Sequence, residues 1–239
     1  KVVFAPEKVE YHRKDGLIST DTEITLSPIE NFEIRRVTIT NHSDRNTEFE
    51  MTSCMEVVND SHLAEAVHPA FNKMFLELEF VPDRNLLIAS RRKRSEEDKF
   101  GFVMHMVTSE SDFSRTVEYD TDRRSFIGRG GTQTIPQALK TRLPLQGRPG
   151  FSLDPMMSLR VFVQVPAKKS VSVCYITGCC PSRSEAFRLS NDLRKDLRSE
   201  DIFRLALTSS KLEMKYLNIN SQQLNAIQSL VGPLFYPSR

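Results

Sequence analysis

Hydrophobic and polar residues alternate with a period of two along most of the first two-thirds of the chain. Lys1-Val-Val-Phe4 has strand character, and Asp15-Gly16 marks a hairpin turn, since both residue types tolerate positive φ. From Ile18 to Leu26 the residues Ile18, Thr20, Thr22, Ile24 and Leu26 fall on one side, and Pro28 to Asn31 makes the next turn. Phe32 and Ile34 then share one phase, whereas Val37 and Ile39 share the other, which predicts a β-bulge across Arg35-Arg36. Phe49, Met51, Ser53, Met55 and Val57 oppose Glu48, Glu50, Thr52, Cys54 and Glu56, the pattern of a sheet with one wet face. Met74, Leu76, Leu78 and Phe80 repeat it. Leu86 to Ala89 is a short strand, and Phe100 to Val107, apolar on both phases, belongs in the middle of a sheet. Met157 to Val165 and Val171 to Thr177 complete a set of strands with no helices between them, which predicts a mainly β fold, a large antiparallel β-sandwich.

After Pro181 the period becomes that of a helix. Ser182-Arg-Ser-Glu185 fits a capping box ahead of the stripe Ala186, Leu189, Leu193 and Leu197. Ser199 caps a second helix with the row Phe203, Leu207, Met214 and Leu217. Asn220-Ser-Gln-Gln223 opens a third with Leu224, Ile227, Val231 and Leu234, which Gly232-Pro233 should kink or end. The predicted organisation is a sandwich over residues 1–181 and a helical linker over 182–239. The apolar row at Leu234-Phe-Tyr is expected to need a further domain to cover it, as in a segment of a longer chain.

Composition is that of a globular protein: 39% of the 239 residues are hydrophobic and 27% charged. A net charge of +2 gives no general attraction to nucleic acid or to anionic lipid. The apolar runs fall short of the ~20 residues of a membrane-spanning helix, and Lys1-Val-Val-Phe4 followed by Pro6 and Glu7 is not expected to be a signal peptide. Cys54, Cys174, Cys179 and Cys180 lack the spacing of a zinc site and read as reduced, buried thiols of a cytosolic protein.

No catalytic or metal site stands out. His12, His42, His62, His68 and His105 show no ligand spacing, with His62 and His68 in an expected loop. The carboxylates Glu96 to Asp98 lie inside the mixed-charge run Arg91-Arg-Lys-Arg-Ser-Glu-Glu-Asp-Lys99, the mark of a solvated loop. Residues 120–154 differ. They carry few strand signals, much Gly and Pro, and the donors Arg123, Arg124, Arg129, Thr132, Gln133 and Gln137. Gly128-Arg-Gly-Gly131 can turn backbone amides and a guanidinium toward an anion, although it lacks the Lys-Ser/Thr of a P-loop. Long irregular segments in compact domains commonly bind ligands. An ordered excursion covering a sheet edge accounts for this one equally well.

Tyr119-Asp-Thr-Asp-Arg-Arg-Ser-Phe-Ile-Gly-Arg-Gly-Gly131, followed by Pro136-Gln-Ala-Leu139, resembles glycoside hydrolase family 94, in particular the C-terminal phosphorylase-like part of cyclic β-1,2-glucan synthases. Arg13 to Thr20, Glu33 to Val37, Thr40-Asn41, Thr52-Ser53, Glu56-Val57, His68 to Phe75, Ala89 to Arg92, Leu153-Asp-Pro and Ser158-Leu-Arg160 continue the likeness along the chain. This sequence reads Gly130-Gly131-Thr132 where the synthase-like pattern often has Gly-Arg-Ser.

The resemblance implies a galactose-mutarotase-like supersandwich joined by linker helices to an (α/α)6 barrel that carries the general-acid aspartate. It implies inverting phosphorolysis, with inorganic phosphate as co-substrate and no other cofactor, a β-glucan oligosaccharide as ligand, and the barrel of the same chain as partner. In some members sandwich loops reach the sugar site across a dimer interface, which adds a homodimer. On the matching motif Arg123, Arg129 and Gln133 are the expected sugar or phosphate contacts; no residue of this segment is expected to be catalytic, to bind metal, or to touch nucleic acid or membrane. The implied location is cytoplasmic, with any tether to the inner membrane supplied by other domains of a full-length synthase. A free-standing β-1,2-oligoglucan or cellobiose phosphorylase, and a stand-alone carbohydrate-binding or assembly module, are the alternatives.

Overall fold

The computed structural model describes residues 1–93, 100–140, 143–195 and 199–235. The carboxylates expected at Glu96 to Asp98, and Leu197 of the first helical stripe, lie outside the described residues. Nine strands form one antiparallel sheet: β1 (Val2–Phe4), β2 (Lys8–Asp15), β3 (Ile18–Leu26), β4 (Phe32–Asn41), β13 (Ser170–Cys180), β9 (Phe102–Ser109), β8 (Leu86–Arg91), β7 (Leu76–Val81) and β11 (Gly150–Phe151), in that spatial order. A smaller sheet has the order β10 (Glu118–Asp122), β12 (Pro155–Val165), β5 (Thr47–Thr52), with β6 (Met55–Glu56) also paired to β12. Three helices follow the strands: α5 (Arg183–Lys195), α6 (Ser199–Tyr216) and α7 (Ser221–Phe235).

The layers number three, because the large sheet is covered on both faces. Leu76, Leu78, Leu87, Val107, Val173 and Tyr175 on its inner face meet Met157, Leu159, Val161, Val163 and Val165 of the small sheet. On its outer face, Phe32, Ile34, Leu86, Ile88, Met104, Met106, Cys174 and Ile176 meet Ala186, Leu189, Ile202 and Phe203 of the helices. Strands buried on both faces read as continuous apolar runs, and β9 does.

The same two cores account for the change of phase in β4. Phe32 and Ile34 point to the helices, whereas Ile39 points to the small sheet. Pairing runs without interruption from Phe32 opposite Gly178 to Thr40 opposite Ser170, so the bulge expected at Arg35-Arg36 is absent. A register shift occurs instead between Asp120 and Asp122, where β10 leaves its partner and enters α3 (Arg123–Ile127).

Further departures are local. The stretch around His62 and His68, expected as loop, forms α1 (His62–Val67) and α2 (Pro69–Lys73). Ser61 caps α1, and Pro69 opens α2 where its missing N–H costs nothing. Met74 accordingly precedes the strand that begins at Leu76. α7 continues through Gly232 and Pro233 to Phe235, so that pair does not end it. Asn220 and Gln223 open it as expected, each accepting from the other's backbone amide, at 2.9 and 3.0 Å. The first half of α6 is docked, with Ile202, Phe203 and Ala206 buried; Leu212 and Leu217, and Ile227, Leu230 and Leu234 of α7, are exposed. Of the cysteines, Cys174 and Cys180 are buried, but Cys54 and Cys179 are exposed. No helix among the described residues is long and apolar enough to cross a membrane.

Candidate functional site: an arginine-lined cleft

The irregular segment covers the outer face of the small sheet and also builds a cleft. Phe126 is buried at that face, close to Met156, and the guanidinium of Arg115 lies over the Phe162 ring at 4.5 Å. Residues 120–154 thus cover a face of the small sheet, where an excursion over a sheet edge is the expectation, and a cleft opens within them.

The bulge at Asp120 to Asp122 organises the cleft floor. Asp120 is 1% exposed and accepts from the amides of Thr121 at 2.8 Å and Asp122 at 3.2 Å, and from Ser125 Oγ at 3.3 Å. Burial pushes its carboxyl above the ordinary aspartate value against those three donors. Asp122 Oδ1 caps α3 by accepting from the Arg124 amide at 3.0 Å. Opposite, residues 145–148 run back along β10. Leu145 N donates to Glu118, Gly147 N donates to the Tyr119 carbonyl at 3.0 Å, Tyr119 Oη donates to the Gly147 carbonyl at 2.8 Å, and Thr121 Oγ1 donates to the Arg148 carbonyl. These contacts set Arg148 across the cleft from α3.

The cleft has a volume of about 810 Å³ and is lined by Asp122, Arg123, Arg124, Arg129, Gln146, Arg148 and Asp154, among others. Its charges divide into a spent group and a free group. Arg123 pairs with Glu56 at 3.0 Å and with Asp154 at 3.1 Å, and Lys73 closes the ring on the same two carboxylates at 3.6 and 3.0 Å. Against the penalty of burial, Lys73 and Arg123 hold the Asp154 carboxyl below the usual aspartate range, so it stays an anion and cannot donate a proton near neutral pH. The guanidinium groups of Arg124, Arg129 and Arg148 have no hydrogen-bond or ion-pair partner among the described residues.

The three residues expected to contact ligand are therefore placed differently. Arg129 lines the cleft, exposed and without a partner among the described residues. Arg123 is committed to two carboxylates, and Gln133 reaches the same Glu56 at 3.5 Å, so these two meet through an acid. Arg148 joins the cleft without having been singled out; its signal is the Gly147-Arg148-Pro149 turn, in which Gly147 at φ +61° reverses the chain. The Gly-Arg-Gly-Gly turn is sterically defined. Gly128 has φ +74°, and a Cβ on Gly131 would fall 1.9 Å from the Ile127 carbonyl oxygen. This turn has no room for the arginine that the synthase-like pattern often carries there.

Among the described residues no group of three or more His, Cys, Asp and Glu side chains could hold a metal ion. What the cleft offers is a set of planar, permanently charged donors suited to phosphate or to sugar hydroxyls.

A family model described as Glycosyl hydrolase 94, supersandwich domain, matches residues 1–196. The chain is 33% identical over 234 residues to the cyclic beta-(1,2)-glucan synthase NdvB of Rhizobium meliloti (strain 1021), a match that covers 98% of this chain and 8% of that protein. The chain thus spans a small part of the relative's length. Similar solved structures include the polysaccharide lyase BACCELL_00875, with TM-score 0.43, 12% identity, and coverage of 75% of this chain and 22% of that one. A putative kojibiose phosphorylase from human microbiome gives TM-score 0.41 and 6% identity over 85% of this chain and 22% of that one. Likenesses this distant carry no argument about the site.

Proposed function

The chain belongs to the glycosyl hydrolase 94 family as its supersandwich domain, and from this we propose that it supports and borders the sugar and phosphate site of a larger carbohydrate-active enzyme. The proposed enzyme is a cyclic β-1,2-glucan synthase whose phosphorylase-like part contains this segment, as the likeness to the Rhizobium protein suggests. The observation that carries the reading is the convergence of Arg124, Arg129 and Arg148, none with a protein partner among the described residues, on one cleft beside a closed ring of ion pairs. Unpaired guanidiniums favour a phosphate or a hydroxyl-rich ligand, and the ring keeps the cleft wall rigid while they do so.

The segment is proposed to be non-catalytic. Inverting cleavage needs a carboxylic acid protonated before reaction. Asp154 is held ionised by its cationic neighbours, and Asp120 is buried under its own loop. The acid is assigned to another part of the enzyme, the (α/α)6 barrel, with a cytoplasmic location for the whole.

The test is Arg129→Ala in the full-length enzyme, with phosphate and a β-1,2-gluco-oligosaccharide as substrates. The expected result is a KM raised about tenfold for one of them, equivalent to about 1.4 kcal/mol of lost binding, at unchanged thermal stability. Unchanged kinetics would remove Arg129 from the site.

A further inference from the structure

A second opening lies on the other side of the small sheet. The large sheet has nine strands and the small one four, so the large sheet's inner face runs on beyond the small sheet's edge. There a hollow of about 730 Å³ is floored by Glu33, Arg35, Val37, His105, Tyr175 and Thr177, and residues 51–55 form its wall. Pairing registers order the floor into rows. Glu33, Thr177 and His105 form one row, and Arg35, Tyr175 and Val107 the next. The second row continues outward through Ile24 and Val9 to Phe4, and its neighbour carries Tyr11; Phe4 and Tyr11 are 71% and 43% exposed.

The chemistry of this floor is polar but uncharged overall. Glu33 and Arg35 pair with each other at 3.0 Å. His105 is 3% exposed and bonded at Nε2 to Ser53 Oγ at 2.8 Å and at Nδ1 to Thr177 Oγ1 at 2.9 Å. Burial, reinforced by the Arg35 charge, lowers its pKa to about 4, so the ring is neutral at physiological pH. A neutral imidazole has one donor and one acceptor. Ser53 Oγ also reaches the Leu159 carbonyl at 3.3 Å and Thr177 Oγ1 the Met55 sulfur at 3.7 Å, so the two hydroxyls satisfy the ring in either tautomer. Around it stand apolar surfaces of Val37, Met51, Met55 and Tyr175.

The hollow does not stand alone. Cys54 and Met55 border both it and a smaller hollow of about 330 Å³ lined by Phe126, Gln133 and Pro136. That one in turn shares Arg123 and Ile127 with the arginine cleft. Hydroxyl donors and acceptors interleaved with apolar patches, without net charge and strung along a line, match successive pyranose rings, which present C–H faces and neutral hydroxyls. A free anion would find Arg35, the cation among the described lining residues, already paired with Glu33.

We propose that this trough is a second saccharide-binding site, which holds a neutral glucan chain along the inner face of the large sheet and leads it toward the arginine cleft. The direction of the chain rests on the saccharide reading of that cleft; binding in the trough does not. Two variants of the full-length protein test it: Glu33→Gln combined with Arg35→Gln, and Cys54→Trp, which places an indole where the two hollows meet. Calorimetric titration with short and long linear β-1,2-gluco-oligosaccharides is the measurement. Both variants should bind the long chains about tenfold more weakly and the disaccharide as wild type does. Unchanged affinity for long chains in both variants overturns the trough. If Arg129→Ala alone weakens binding, the arginine cleft stands and the trough falls; if only the trough variants do, the converse holds. Failure of every glucan to bind the full-length protein would also overturn it.

Discussion

Arg160, its side chain 1% exposed, donates from Nη2 to the carbonyl of Ala138 at 2.7 Å and so ties the irregular segment to the middle strand of the small sheet. The same guanidinium donates to the Leu143 carbonyl at 3.1 Å and to Glu118 at 3.3 Å, while its Nε reaches Thr52 and Glu50. One buried cation thereby satisfies two loop carbonyls and two carboxylates. Arg160→Met leaves two loop carbonyls and two partly exposed acids without their donor, a change that costs about 1–3 kcal/mol. The expected outcome is a lower urea midpoint together with faster hydrogen exchange at residues 138–140 and 143–148. Loss of stability without added exchange in that segment would contradict the anchoring role.

The glycine turn supports a graded prediction. Gly131→Ala puts its Cβ 1.9 Å from the Ile127 oxygen, and Gly128→Ala puts one 2.4 Å from the Gln137 Cβ at a positive φ. Gly130 also has positive φ, +76°, but nothing lies within 4 Å of its added carbon. Gly130→Ala should therefore lose only the left-handed backbone preference, about 1–2 kcal/mol, and the other two should lose more and displace Arg129. Thermal melts of the three variants give the order; equal losses would show that the contacts are relieved by movement of the loop.

Much of this fold is legible because alternation is a local property. Phe49 to Val57 and Met157 to Val165 announce their faces without reference to partners. What alternation cannot say is how many faces are covered: Phe32 and Ile34 serve one core and Ile39 another, and a chain read by itself interprets that as a bulge. The short helices at 62–73 hide for a different reason, since neither reaches two turns. Arg123 shows the limit for sites. Its partners Glu56 and Asp154 come from distant parts of the chain, so sequence shows a free donor where the fold has an ion pair. Arg129, whose neighbours are glycines, is legible as a free cation.

Docking of the helices on the sheet turns on one ring. Arg36 stacks over Phe203 at 4.4 Å and pairs with Glu23 at 2.5 Å and Glu200 at 2.8 Å, so strand and helix share a guanidinium. Phe203→Ala removes the ring, which is 6% exposed, and should cost about 3–5 kcal/mol. Arg36→Lys keeps the charge but not the planar stack, and should cost less, on the order of 1 kcal/mol. Urea unfolding of both variants, with α6 amide exchange as the local reporter, checks the ranking. A larger loss in Arg36→Lys than in Phe203→Ala would reverse the roles assigned to ring and charge.

His105 makes stability depend on pH in a window that can be stated in advance. Burial first, and the Arg35 charge second, lower its pKa to about 4, against about 6.5 in an unfolded chain. Glu33, Tyr175 and Cys54 are the other titratable groups lining the same hollow. The unfolded state therefore binds the proton more readily, and stability rises with pH between those values. The contribution is complete above about pH 6.5 and is lost as pH falls toward 4, and the shift corresponds to about 3 kcal/mol. His105→Gln can still bond Ser53 and Thr177 but does not titrate. The wild-type urea midpoint should fall between pH 7 and pH 4.5 by more than that of the variant. Parallel pH profiles for the two proteins would show that the folded imidazole takes up its proton as readily as the unfolded one does, and the floor of the hollow would then gain a charge as the pH falls.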